Sequence, residues 1–255
     1  MIASGYPAID EVLGGVRSGF LYLVSAPPGM GKTTLLRHLS VSLAKQGFHI
    51  AFLSAEESQE HIDAEFRRIH GGEIDQLPID VRIIRSSIDV VNPILQAEHD
   101  IIVLDSFQAF AAISEGNTSP SIYKQAAIGK RLFEIVRRKG LTLFMIAQVT
   151  KSGRAAGPNS LAHDVDAVVE LRADALGDVE IYVRKNRGGS AMQTVSLRMT
   201  AKGLIRKHPE ELGFIQMHPD SVVGCVAAPV ILRDRMVIDE LKAVRIGDHD
   251  ERRQS

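Results

Sequence analysis

Residues 26–34, Ala-Pro-Pro-Gly-Met-Gly-Lys-Thr-Thr, have the types and spacing of a loop that wraps a phosphate chain. Small residues let consecutive backbone N–H groups turn inward onto an anion, and a helix starting at Lys32 adds its positive end. In such a loop Pro28, Gly29, Met30, Gly31, Lys32, Thr33 and Thr34 line the nucleotide. Lys32 reaches the β- and γ-phosphates, and the Thr33 hydroxyl holds Mg²⁺. The first position of G-x-x-x-x-G-K-[ST] is Ala26, which is tolerable if its φ stays negative. Asp105 ends the apolar run Ile101-Ile102-Val103-Leu104, the Walker B pattern of a second metal-binding oxygen. Glu56 or Glu57 supplies a carboxylate to polarise the attacking water; Glu56 is preferred, although pattern alone does not choose. Gln148 ends another apolar run and is either a γ-phosphate sensor or an ordinary polar strand end. Lys185 and Arg187, two apart on a strand, point the same way. They grip a phosphate, across a subunit boundary if Arg187 is an arginine finger, or they simply finish a basic hairpin.

Strands and helices must alternate to bring these groups together. A short helix around 9–13 closes on Gly14-Gly15, and an apolar strand at 20–24 enters the loop. The Leu35, Leu36, Leu39, Leu43 spacing predicts a helix capped by Gly47. Strands are expected at 48–54, 81–84, 101–105 and 141–147, with helices from Ser58 to about His70, at 93–97 and at 121–139. Three more strand patterns, near 166–172, 179–185 and 193–199, lack intervening helices and so form antiparallel edge hairpins. The fold class is α/β: a mostly parallel sheet flanked by helices, with the ligand groups at strand carboxyl ends.

At 255 residues and 45% hydrophobic, the chain can bury one substantial core. We expect an ATPase domain over 1–205 and a short extension over 206–255 with a polar tail. No apolar run approaches the roughly 20 residues of a membrane span, there is no export signal, and the single Cys225 excludes a disulfide framework or cysteine zinc ribbon. The expectation is a cytoplasmic protein without a membrane partner. A net charge of −1 means that any nucleic-acid surface must be local. The small-residue loops 110–120 and 150–158, the latter with Lys151 and Arg154, suit a phosphate backbone threaded through a ring. Lys124, Lys130, Arg131, Arg137 and Arg138 on the 121–139 helix read as a solvated face.

Several segments together resemble one family, the bacterial RadA (Sms) recombination and repair ATPases of the wider RecA/DnaB group. They include Leu13-Gly14-Gly15, Ser54-Ala55-Glu56-Glu57-Ser58, Leu104-Asp105-Ser106-Phe107-Gln108 and Val149-Thr150-Lys151-x-Gly153. Pro28-Gly29-Met30-Gly31-Lys32-Thr33, Ala156-Gly157-Pro158, His163-x-Val165-Asp166 and Lys185-Asn186-Arg187-x-Gly189 complete the set. The resemblance implies a RecA-like motor, assembled as a hexameric ring and using ATP and Mg²⁺ on single-stranded DNA in recombination intermediates. A recombinase or helicase is the protein partner it suggests. By carry-over Lys32 and Thr33 bind nucleotide and metal, Asp105 is Walker B, Glu56 is catalytic, and Lys185 and Arg187 act between subunits. Relative to that family the four-cysteine zinc module is absent, the Lon-like domain is cut to about one hairpin, and Gly188 replaces a phenylalanine. Two other readings remain: a KaiC-like nucleotide-switched assembly protein, and a helicase accessory module without its own DNA activity.

Overall fold

The computed structural model describes residues 2–72, 74–96, 98–148, 159–174 and 177–207, together with the strands at 225–232 and 235–242. The chain divides into two compact units, Met1–Arg206 and Lys207–Ser255. The first opens with α1 (Pro7–Leu13), β1 (Leu21–Ala26), α2 (Lys32–Ala44), β2 (Ile50–Ser54) and α3 (Gln59–His70). It continues with β3 (Ile79–Ile83), α4 (Ile88–Gln96), β4 (Ile101–Asp105), α5 (Phe107–Ser114), α6 (Ile122–Lys139) and β5 (Thr142–Gln148). It ends with α7 (Asn159–Asp164), β6 (Ala167–Ala173), β7 (Val179–Asn186), β8 (Thr194–Thr200) and β9 (Gly203–Arg206).

Nine strands form one sheet in the order β3-β2-β4-β5-β1-β6-β7-β8-β9. The first six are parallel, whereas β7, β8 and β9 pair antiparallel. Alternation along the central strands sends side chains into two separate cores, as a parallel sheet covered on both faces requires. Tyr22, Val24, Phe52, Phe144 and Ile146 pack with Leu35, Leu36 and Leu39 of α2 and Phe66 of α3. Leu21, Leu23, Leu53, Ile102 and Leu104 pack with Phe107 of α5 and Leu132, Phe133 and Val136 of α6.

The helix ends follow local chemistry. Ser58 accepts from the His61 N–H and Ser121 from the Lys124 N–H, while Gly140 closes α6 at φ +68°. Three expectations are corrected. Residues 107–114 are helix, so the segment expected to be a loop from 110 begins only after Ser114; its run of apolar residues finds a buried face in Phe107, Phe110 and Ala111. Helix α2 stops at Ala44, and Gly47 (φ +92°) turns the chain three residues later. A ninth strand, β9, pairs with β8. The loop 150–158, with Lys151 and Arg154, lies outside the described residues. In the second unit, β10 (Cys225–Leu232) and β11 (Arg235–Lys242) form an antiparallel hairpin.

Candidate functional site

The phosphate loop leaves β1 at Ala26 and returns as α2. Gly29 and Gly31 sit at φ +79° and +83°, where a side chain is strained; Ala26 is not among the positive-φ residues. The Lys32 ammonium folds over the loop, donating to the carbonyls of Ala26 and Pro27 at 3.0 Å each. Burial pushes its pKa down, against the pull of Asp105 and Glu56.

Register explains the rest of the cluster. Strands β2 and β4 are neighbours with Ser54 opposite Asp105, so their ends deliver Glu56 and Asp105 to one place. The Ala55 N–H donates to the Asp105 carbonyl at 2.7 Å, and the Thr33 hydroxyl donates to Asp105 Oδ2 at 2.7 Å. Asp105 is 2% exposed. Burial pushes its carboxyl up to about 6, with Glu56 and Glu57 adding to the rise and Thr33 and Arg37 opposing it. A desolvated carboxylate against a hydroxyl, with two acids nearby, is under-neutralised, and a divalent cation held by Thr33 and Asp105 would correct that. The donor set therefore fits Mg²⁺, and the loop with Lys32 fits a polyphosphate.

Glu56 and Glu57 have different surroundings. Glu56 accepts a hydrogen bond from the Ser106 hydroxyl, beside Asp105. Glu57 is bound by the Arg37 guanidinium and lies 3.5 Å from His61. The geometry thus separates two carboxylates between which pattern alone does not choose, with Glu56, the preferred one, beside Asp105. It also adds Ser106 and Arg37, to which no role was assigned from the sequence; Ser106 was marked only by its place in the Leu104-Asp105-Ser106-Phe107-Gln108 segment. The backbone of Gln148 ends β5 opposite Ala26; its side chain lies outside the described portion.

Lys185 and Arg187 are elsewhere. Because β7 runs against β6, Asn186 pairs with Ala167 at the amino end of the parallel strands. Lys185 Nζ donates to the carbonyls of Ala162, His163 and Val165 at 3.0, 2.8 and 2.7 Å. Arg187 reaches Asp166 Oδ1 and the His163 carbonyl, both at 3.3 Å. Asp166 also accepts from Arg137 and from the Leu21 N–H, the first residue of β1. The basic pair does converge on one spot, but the length of β1, ~16 Å at ~3.3 Å per residue, separates it from its own phosphate loop. At Gly188 the space a side chain would need is filled by Arg17 and Phe20, and Arg17 donates to the Gly188 carbonyl.

On α6, Lys124 pairs with Glu115 and Arg137 with Asp166. Ile122 and Tyr123 stand exposed at its start, Tyr123 at 82%. No described helix is long and apolar enough to cross a membrane.

Residues 2–154 match the family model described as AAA domain. The DNA repair protein RadA of Campylobacter jejuni is 30% identical over 199 residues, covering 77% of this chain and 44% of that protein. RadA of Aquifex aeolicus is 29% identical over 246 residues, covering 95% and 54%. The chain thus spans about half the length of these curated relatives. Among solved structures, a DnaB-like replicative helicase superposes with a TM-score of 0.69 at 16% identity, over 81% of this chain and 62% of that one. A KaiC-like protein of Pyrococcus horikoshii gives 0.66 at 18% identity, over 81% and 98%. These likenesses carry the fold, a RecA-like one, and the sequence matches carry the lineage: the chain belongs to the AAA domain family, as a relative of the RadA repair proteins.

Proposed function

We propose that the chain is a Mg²⁺-dependent ATPase that acts on single-stranded DNA in repair or recombination, as a ring in which each active site is completed by a neighbour. The reading rests on one observation: Lys32, Thr33, Asp105 and Glu56 meet at the carboxyl end of the sheet, while Lys185 and Arg187 gather at the amino end. A metal bound by Thr33 and Asp105 would supply charge neutralisation at the β- and γ-phosphates. Lys32 exchanges its two carbonyl partners for phosphate oxygens. Glu56, held by the Ser106 hydroxyl, accepts the proton of the attacking water. Arg187 and Lys185, out of reach of their own site, stabilise the charge developing in the next protomer's. Such a finger is worth roughly 10³–10⁵ in rate where it has been dissected.

The DNA half of the proposal draws on the RadA relatives and on the loop following α5. Filter binding of a labelled oligonucleotide with and without ATP, alongside ATPase assays, tests it. The expected result is ATP-dependent retention and a hydrolysis rate that rises with single-stranded DNA. Hydrolysis indifferent to DNA, with no retention at low salt, would overturn it in favour of a nucleotide-switched assembly protein.

A further inference from the structure

Arg37 lies one turn beyond Thr33 on α2 and is 2% exposed. Its guanidinium carbon stands 6.0 Å from the rings of both Phe52 and Phe66. It binds Glu57, lies 3.6 Å from Glu65 of α3, and leaves its Nε without a hydrogen-bond partner. Taking a guanidinium out of water is costly, and an apolar side chain of similar volume in such a position is often as stable or more so. Stability alone therefore gives little reason for an arginine here. What the side chain does is connect two pieces of the site. Its helix begins with Lys32 and Thr33; its partner Glu57 is the residue after Glu56, in a tight bend where both N–H groups approach the Ser54 hydroxyl at 3.4 Å.

We infer that Arg37 is a positioning residue for hydrolysis. It ties the helix that carries the phosphate ligands to the bend that carries Glu56, so occupancy of the loop fixes where that carboxylate stands. The inference rests on the proposed role of Glu56 in activating water. The guanidinium is occupied by Glu57 and Glu65 rather than by the phosphate loop, so it acts on turnover rather than on affinity. Misplacing a reacting group by about 1 Å costs on the order of 10²-fold. Removing Arg37 leaves neither of its direct ion-pair partners buried, because Glu57 and Glu65 are each about a quarter exposed.

The full chain is compared as wild type, Arg37→Met, Arg37→Lys, Glu57→Gln, the Arg37→Met/Glu57→Gln double variant and Glu56→Gln. Affinity for a fluorescent ATP analogue, kcat and thermal midpoint are measured for each. Arg37→Met and Glu57→Gln are expected to lower kcat roughly 10–100-fold with analogue affinity within about threefold. The double variant is expected to be no worse than the poorer single, and Arg37→Lys to regain part of the rate. Losses that multiply, losses confined to affinity, or an unchanged kcat would overturn the inference. Should Arg37→Met fail to fold, Glu57→Gln decides the matter, since it leaves the buried arginine a second acid in Glu65. Glu56→Gln separates the two ideas: if it turns over normally, the role of Glu56 and the inference both fall. If it binds nucleotide but is inert while Arg37→Met and Glu57→Gln are unimpaired, only the inference falls.

Discussion

Asp105→Asn is expected to make the nucleotide-free protein more stable while abolishing its metal-dependent hydrolysis. The carboxyl of Asp105 is raised from its ordinary 3.8 to about 6, chiefly by burial. A raised acid keeps its proton longer in the folded than in the unfolded chain, so stability falls as pH climbs from about 4 to about 6, and the whole cost is present above that. The difference, 6 − 3.8 or about 2.2 units, corresponds to about 3 kcal/mol at pH 7.5 and about 1 kcal/mol at pH 4.5, at 1.36 kcal/mol per unit. Asparagine carries no charge at either pH and still offers Thr33 an acceptor. The midpoint of Asp105→Asn should therefore exceed that of wild type by about 5–10 °C at pH 7.5, and by about a third of that at pH 4.5. Scanning calorimetry in chelator at the two pH values reads this directly. Adding Mg²⁺ and ATP should raise the wild-type midpoint more than the variant's, because the loop and Lys32 still hold the phosphates in the variant while its metal site lacks the carboxylate. A variant less stable than wild type at pH 7.5, or a gap that does not shrink on acidification, would refute an uncompensated carboxylate at this position.

Lys32→Ala should bind ATP at least tenfold more weakly and show no turnover, measured by analogue fluorescence and phosphate release. Arg187→Ala should keep nucleotide affinity but lose hydrolysis at least 10³-fold; mixing it with Lys32→Ala subunits should recover activity, and a titration without a maximum would argue against shared sites. Gly31→Ala should weaken nucleotide binding and lower stability by about 1–2 kcal/mol, because φ +83° strains any side chain and the new methyl would meet Met199 Cε at 2.7 Å.

Where one residue type in one context carries the chemistry, the sequence was readable. Lys32, Thr33 and Asp105 meet as their flanking strand and helix patterns imply, because apolar runs of that length bury only in a two-faced parallel sheet. The preference for Glu56 over Glu57 came from the family resemblance, and the residue pattern alone could not supply it, since the difference depends on Ser106 and Arg37, residues 50 and 20 positions away. Helix α5 was missed because small and polar residues just downstream of Phe107–Ser114 masked a buried face. The convergence of Lys185 and Arg187 followed from strand alternation. Their distance from the phosphate loop did not, because it is set by β7 pairing antiparallel to β6.

Strand β1 has a further consequence for how the molecule is made. All six of its residues are buried, flanked by β5 on one side and β6 on the other. Neither partner exists until the ribosome has passed residues 148 and 173 respectively. At about 5–20 residues per second, the apolar strand leading into the phosphate loop waits roughly 7–30 s for its second neighbour. The strand that leads into the phosphate loop is thus enclosed on both sides only after β2, β3, β4 and β5 have all been made. A nascent chain stopped at residue 154 would leave β1 as a bare hydrophobic edge, prone to recruiting a foreign strand instead.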